Sequence, residues 1–163
     1  ALAVKTMNKP KSVKLRIDLP HHWAIGGESM WADDLGNNRY QIKNIPFYAY
    51  GLNFDDIVLA EAESEEFKPE IKKLIEASGH QTIRVIFTGD TSKDENIETI
   101  ESIRNEHVGY EGLNDKEYAL NVTPEGNYNQ LYDVLEELEE NKVLSFETCE
   151  ARVEGSFDDV PPE

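Results

Sequence analysis

Residues 28–60 carry the clearest fold signal of the chain and read ESMWADDLGNNRYQIKNIPFYAYGLNFDDIVLA. Short alternations of apolar and polar residues are separated here by turn residues, which is typical of β-strands joined by tight turns. Residues 28–34 and 39–45 flank the turn sequence LGNN at 35–38, whose glycine and asparagines tolerate positive φ, so the pattern predicts a hairpin. Pro46 interrupts the second strand. Strands at this short spacing predict a small sheet or an open barrel.

The segments on either side extend this prediction. Residues 13–19 alternate apolar and charged side chains over seven positions, which predicts a half-buried strand. Residues 67–80 allow two predictions. Apolar residues at helical spacing favour a helix, whereas residues 71–76 could instead form a strand that pairs with residues 82–88.

The second half of the chain alternates strands and helices. The order βαββαβ is typical of the ferredoxin-like fold, so the whole chain is predicted to be α+β. Ser92 or Asp94 is a candidate cap for the first helix. The predicted elements are a strand at 81–87, a helix at 95–106, strands at 107–113 and 117–122, a helix at 127–141, and a strand at 143–153. The predicted inward positions of the second helix are Leu131, Val134, Leu135 and Leu138.

These elements divide the chain into four parts. The predicted parts are an expression remnant and disordered N-terminus at 1–11, a β-rich subdomain at 12–80, a ferredoxin-like α/β subdomain at 81–154, and a frayed acidic tail at 155–163.

The charge is spread unevenly along the chain. The formal net charge is −17, but residues 1–82 hold 10 basic and 12 acidic residues, whereas residues 83–163 hold 6 and 21. Such an acidic half repels nucleic acids and anionic lipids and attracts basic partners. Acidity can also serve solubility alone.

One helix concentrates this charge. Asp133, Glu136, Glu137 and Glu140 are three or four residues apart, so they share one flank of the predicted helix. They are candidates for binding a basic partner surface, with an ordinary solvated face as the alternative. Among the aromatic residues, Trp23 and Tyr48 fall in loop or bend positions, where they are either contact anchors or parts of the core.

Catalytic and cofactor signatures are missing from the sequence. No GxGxxG, GxxxxGK, GxSxG or HExxH motif occurs. His21 and His22 are adjacent and so point in different directions, which disfavours a shared metal ion. Asp55 and Asp56 fit a turn. Cys149 fits a buried strand position. We therefore expect no catalytic residue, no metal and no cofactor. A single cysteine makes the cytoplasm the expected compartment, and no apolar run reaches about 18 residues, so no membrane span is expected.

Blocks of the opening segment carry a resemblance. These blocks are Glu28-x-x-Trp31-Ala32, Tyr40-x-Ile42-x-Asn44-Ile45-Pro46-Phe47, Asp56-Ile57-Val58, and the stretch SGHQTIRV at 78–85. Together they resemble a bacterial family catalogued as domain of unknown function 4265. In that family the last block reads as a turn and a strand, so the resemblance favours the strand prediction at 71–76. It also implies a link to immunity proteins of polymorphic toxin systems, but it assigns no functional residue.

We therefore expect a non-catalytic immunity protein that neutralises a basic toxin domain, for example a nuclease, by occluding its active site with an acidic surface. Nucleic acid and membrane are not expected partners. Two alternatives remain open: a small-ligand-binding or enzymatic domain with a cleft between its halves, and a regulatory protein-binding domain. The expected partner contacts are Asp133, Glu136, Glu137, Glu140, Trp23 and Tyr48.

Overall fold

A closed five-stranded barrel forms the first half of the molecule. The structure is a computed structural model that describes residues 9–162. Consecutive barrel strands are antiparallel, and the barrel closes where β1 meets β5 in parallel at Arg16 and Glu70. The strands are β1 (Lys11–Asp18), β2 (Gly27–Gly36), β3 (Arg39–Ile42), β4 (Ile57–Glu61) and β5 (Glu70–Glu76).

The barrel is closed, whereas the sequence predicted a small sheet or an open barrel. Two polar contacts of Arg16 hold the closure. The Arg16 backbone N–H donates to the Pro69 carbonyl at 2.9 Å, and the Arg16 guanidinium lies 3.0 Å from the Glu70 carboxylate. Because β1 and β5 are more than 50 residues apart in sequence, local alternation carries no sign of this contact.

The predicted hairpin in the opening segment is confirmed as β2 and β3. Its turn contains Gly36, Asn37 and Asn38, all with positive φ (84°, 56° and 62°), a conformation that glycine and asparagine tolerate best. The alternation in β1 also predicts burial correctly, because Leu15 and Ile17 point into the barrel core.

Residues 70–76 form the strand β5 and not a helix, but the predicted pairing partner was wrong. β5 pairs with β4 and not with residues 82–88. Gly79, at φ 89°, lets the chain leave the barrel, and β6 then enters a different sheet. The apolar residues that suggested a helix remain largely outside, since Leu74 and Ile75 are both exposed.

The second half is a four-stranded antiparallel sheet with two helices. Its spatial strand order is β7-β8-β6-β9. The elements in chain order are β6 (Gln81–Phe87), α1 (Lys93–Ile103), β7 (Val108–Gly112), β8 (Glu117–Val122), α2 (Tyr128–Glu140) and β9 (Leu144–Thr148).

Both helices cover one face of this sheet. Ile83 and Val85 of β6 share a core cluster with Ile100 of α1 and with Leu131 and Leu135 of α2. The predicted inward position of Val134 is wrong, because its side chain is 36% exposed.

Side-chain caps begin both helices. Ser92 and Glu95 form a reciprocal capping box at α1, so Ser92, and not Asp94, is the cap of the two candidates. The Asn127 side chain accepts from the Gln130 N–H at the start of α2.

The opposite face of the sheet packs against the barrel half. Because side chains alternate along a strand, Thr82 and Arg84 point away from the helices. The Thr82 hydroxyl donates to Asn53 at 2.7 Å, and Arg84 reaches the 46–49 loop. The sheet therefore lies between the helices and the barrel.

The C-terminal segment is docked and not frayed, at least through Asp158. The Asp158 side chain is buried and accepts from the His21 N–H at 2.8 Å, and the Phe157 carbonyl accepts from the Tyr50 N–H. These partners lie more than 100 residues away, so composition alone could not predict them. At the other end, the predicted remnant at 1–11 falls mostly outside the described residues, and Lys11 already belongs to β1.

Candidate functional site

The four acidic residues predicted on the second helix all lie on the exposed side of α2. The side chains of Asp133, Glu136, Glu137 and Glu140 are exposed. None of the ion pairs among residues 9–162 uses a carboxylate of α2. The outer face of α2 is therefore negative and unneutralised within the described structure.

The other two predicted contacts line a cleft between the barrel and the sheet. Trp23 and Tyr48 stand on the barrel side, and residues of β6, β8 and β9 form the floor. The cleft has a volume of about 310 Å³. Its remaining lining consists of Ala24, Phe47, Arg84, Val85, Ile86, Leu113, Glu117, Tyr118, Ser145, Phe146 and Glu147.

Buried Arg84 fixes the loop that forms one wall of this cleft. Its two terminal nitrogens donate to the carbonyls of Pro46, Tyr48 and Ala49 at 2.9–3.1 Å. Its Nε donates to Glu147 at 3.0 Å, and the guanidinium stacks on the Tyr50 ring at 4.9 Å. A buried charge requires such partners, because an unpaired guanidinium would lose its hydration without compensation.

Glu28 holds the same loop from its other side. The carboxylate of Glu28 accepts the backbone N–H groups of Phe47, Tyr48 and Ala49 at 2.8–3.1 Å. Carbonyls of the loop face Arg84 while its N–H groups face Glu28, so both sets of backbone polar groups are satisfied. Glu28 of the quoted sequence block therefore has a structural role that places Phe47 and Tyr48 at the cleft.

Trp23 projects from a loop and is held by His22. The Trp23 side chain is 71% exposed, which is unusual for so large an apolar ring. The His22 ring stacks on Trp23 at 5.4 Å and contacts Tyr48 edge-on at 5.3 Å. Burial, and then the positive charge of Arg84, lower the pKa of His22. The neutral ring is thus favoured, which suits its role as a stacking partner and not as a charged group.

The structure does not bring the six predicted contacts together. α2 packs on the face of β6 that carries Ile83 and Val85, whereas the cleft lies on the face that carries Arg84 and Ile86. The acidic helix and the aromatic cleft are thus two separate surfaces.

The adjacent aspartates 55 and 56 have structural partners. Asp56 is buried and accepts the N–H groups of Asn53 and Ser78 at 2.8 Å, and burial raises its pKa. The Asp55 carboxylate lies 2.6 Å from Lys43 Nζ and 3.8 Å from His80 Nε2, beside a smaller polar cleft of about 260 Å³. The turn interpretation of this pair agrees with these contacts.

Cys149 follows β9 and does not belong to it, but it is buried as expected. Burial raises the pKa of its thiol to about 12, so the thiol stays protonated at neutral pH. A nucleophilic role requires the thiolate, and this environment disfavours it.

The described chain has neither a metal-ligand cluster nor a membrane-spanning helix. Within residues 9–162, no group of three or more His, Cys, Asp or Glu side chains is arranged to hold a metal ion. In the same part of the chain, no helix is both long and apolar enough to cross a membrane.

Sequence reasoning missed Arg84, Glu28 and Glu117. Arg84 interrupts the apolar run of β6 and is buried, which is a detectable signal because a charge inside a strand needs a partner. Glu28 belongs to the block Glu28-x-x-Trp31-Ala32, but the sequence assigns it no role. Glu117 begins β8 and lines the cleft, and nothing in its local sequence indicates that position.

The barrel, the helix-covered sheet and the cleft between them define a two-lobed α+β protein. Its sequence matches the family model described as "Domain of unknown function (DUF4265)" over residues 28–146, so the chain belongs to that family. The resemblance noted in the sequence is thereby confirmed.

A solved structure is also similar to the chain. It is described as "Novel crystal structure of a hypothetical protein from Neisseria gonorrhoeae" and has 25% sequence identity and a TM-score of 0.69. The match covers 86% of this chain and 95% of that chain, so both lobes have a counterpart in it. Among curated proteins, none matches.

Proposed function

We propose that this protein is a non-catalytic binding protein that docks a basic protein partner on the acidic face of α2. Most concretely, it is an immunity protein that neutralises a basic toxin domain, such as a nuclease, in the cytoplasm. The observation that carries the proposal is the unneutralised set of exposed carboxylates on α2, at Asp133, Glu136, Glu137 and Glu140.

The position of these carboxylates lowers the stability of the isolated protein. Glu136, Glu137 and Glu140 lie toward the C-terminal end of α2, where the helix dipole is negative, and no basic residue occupies the last turn. Like charges three or four residues apart add repulsion of a few tenths of a kcal/mol per pair. A basic partner would remove both costs on binding, which is the physical reason to regard this face as a binding surface.

The mechanism would be occlusion of a cationic cleft. A phosphate-binding active site is basic, and an acidic helix placed across it would exclude the anionic substrate. Opposite charges also steer encounter, raising association rates by about 10–10³-fold at low salt. The immunity role itself is supported by the sequence resemblance, and the net charge of −17 agrees with it.

The finer fold assignment accompanies this proposal. We infer that the second lobe is a ferredoxin-like unit, and the element order β6-α1-β7-β8-α2-β9 with the spatial order β7-β8-β6-β9 supports that inference.

The test compares two sets of four neutralised carboxylates. One variant changes Asp133→Asn, Glu136→Gln, Glu137→Gln and Glu140→Gln. The control changes Glu61→Gln, Glu63→Gln, Glu65→Gln and Glu66→Gln, which removes the same charge from an exposed segment of the barrel lobe. The partner to be tested is a basic domain encoded in a neighbouring gene, and stopped-flow fluorescence measures its association with each variant over a range of salt concentrations.

We expect the α2 variant to associate at least tenfold more slowly at low salt, because it lacks the local field. The barrel variant should keep most of the original rate. Equal association rates for the two variants would mean that net charge alone, and not the face of α2, sets the rate. The absence of any complex with the neighbouring basic domain would reject the immunity role.

A further inference from the structure

We propose that the cleft between the lobes binds a small organic cation, with Glu117 as its counter-ion and the rings of Trp23 and Tyr48 as its walls. This site is on the face of the sheet opposite α2. The inference goes beyond the partner-binding function proposed above and does not depend on it.

The cleft has the size and lining of a small-molecule site. Its volume of about 310 Å³ is at the lower end of the range for ligand pockets, roughly 300–1,000 Å³. Most of the lining is apolar or aromatic, and two exposed apolar side chains, Ile86 and Leu113, contribute to it. Few polar groups line the cleft, so the charge of those groups determines which ligand binds.

Two of the three charged groups in the cleft are already paired. Arg84 makes four hydrogen bonds, to Glu147 and to three loop carbonyls. Glu147 accepts from Arg84 on one oxygen and from the Tyr50 hydroxyl on the other, at 2.8 Å. These two charges cancel, and four of the five N–H groups of Arg84 are already engaged.

Glu117 is the charge that remains. Its Oε2 accepts from Asn114 Nδ2 at 3.1 Å, and no donor among residues 9–162 reaches its Oε1. Its side chain is partly buried at the cleft. The cleft therefore offers one negative charge with an open acceptor, which is complementary to a cation.

The aromatic residues favour an organic cation over a hydrated metal ion. Aromatic faces attract ammonium and guanidinium groups through the ring quadrupole, and most strongly when the ring is that of tryptophan. Trp23 is exposed but positioned by stacking on His22, so its ring face is presented with little loss of side-chain freedom. Glu117 is close enough to Tyr48 that its charge adds to the effect of burial in raising the pKa of that phenol.

The first experiment measures binding of benzyltrimethylammonium to the Trp31→Phe protein. Trp23 is then the only tryptophan, and its fluorescence reports on the cleft. Benzyl alcohol and benzoate serve as neutral and anionic comparators. We expect a saturable change with the cation, at least tenfold weaker binding of benzyl alcohol, and no binding of benzoate. Equal affinity for the cation and the alcohol would overturn the proposal, because Glu117 would then contribute nothing.

The second experiment uses variants and isothermal titration calorimetry. Glu117→Gln keeps the shape of the side chain and removes its charge, and we expect it to weaken binding of the cation at least tenfold. Glu98→Gln, on the exposed side of α1, is the matched control and should bind as the parent does. Trp23→Ala should also weaken binding, and as a surface change it should not impair folding. Unchanged affinity in Glu117→Gln would reject the site.

The two proposals can fail separately. The four-residue α2 variant described above should bind benzyltrimethylammonium with the affinity of the parent, because α2 lies on the other face of the sheet. A parallel loss of cation binding in that variant would show that long-range charge and not the cleft attracts the probe.

Discussion

The two faces of the four-stranded sheet are held by different kinds of contact. On the helix face, apolar residues at regular spacing pack together, and each helix begins at its own side-chain cap. On the barrel face, the central contact is a buried charge, Arg84, whose partners lie 35 to 63 residues away in the chain. Periodic patterns therefore specify the helix face, whereas single long-range polar contacts specify the face that carries the cleft.

The largest expected effect comes from breaking the barrel face. Arg84→Met should destabilise the protein by about 3–5 kcal/mol, because Glu147 and three loop carbonyls would lose their partner in a buried setting. Urea denaturation measures this change in the free energy of unfolding. The control is Arg104→Met, which removes an exposed ion pair with Glu101 and should cost about 1 kcal/mol or less. A loss at Arg84 as small as that at Arg104 would contradict the contrast between the faces.

Breaking the helix face should cost somewhat less. Leu135→Ala removes a fully buried side chain from the interface of α2 with the sheet, and we expect a loss of about 2–5 kcal/mol. Val134→Ala, one residue away and exposed, serves as the control and should lower stability by well under half as much. The same denaturation measurement applies. If Val134→Ala proved the more damaging change, the observed orientation of α2 would be incorrect.

The smallest expected effect is a gain in stability. Glu140→Gln removes a negative charge from the last turn of α2, where the helix dipole and neighbouring carboxylates oppose it. We expect stabilisation of about 0.3–1 kcal/mol at low salt, decreasing as salt is added. Thermal unfolding at two salt concentrations measures it, with Glu98→Gln of α1 as the comparison. A stability decrease on removing this charge would mean that the carboxylate already has a favourable partner, and the acidic face would lose its main support as a binding surface.

Local signals in the sequence account for much of the fold. The seven-residue alternation at 13–19 predicted β1, and the spacing of Leu131 and Leu135 predicted the buried side of α2. These predictions succeeded because burial on one face of an element imposes the period of that element on its own residues.

Contacts between distant residues account for what could not be predicted. Three features depend on a partner that is distant in sequence. They are the pairing of β5 with β4, the closure of the barrel at Arg16 and Glu70, and the docking of Asp158. The same is true of the cleft. The loop positions of Trp23 and Tyr48 predict possible contacts, but the cleft that they share with Glu117 forms only where the two lobes meet.

The loop at 46–49 is held by its main chain as well as by the packing of Tyr48 and Ala49 on the barrel core. Glu28 accepts three of its N–H groups, and Arg84 donates to three of its carbonyls. The positions of its backbone polar groups are therefore set by two residues outside the loop. Substitutions at Phe47, which lines the cleft, can therefore change the chemistry of the cleft while Glu28 and Arg84 keep the main chain of the loop in place.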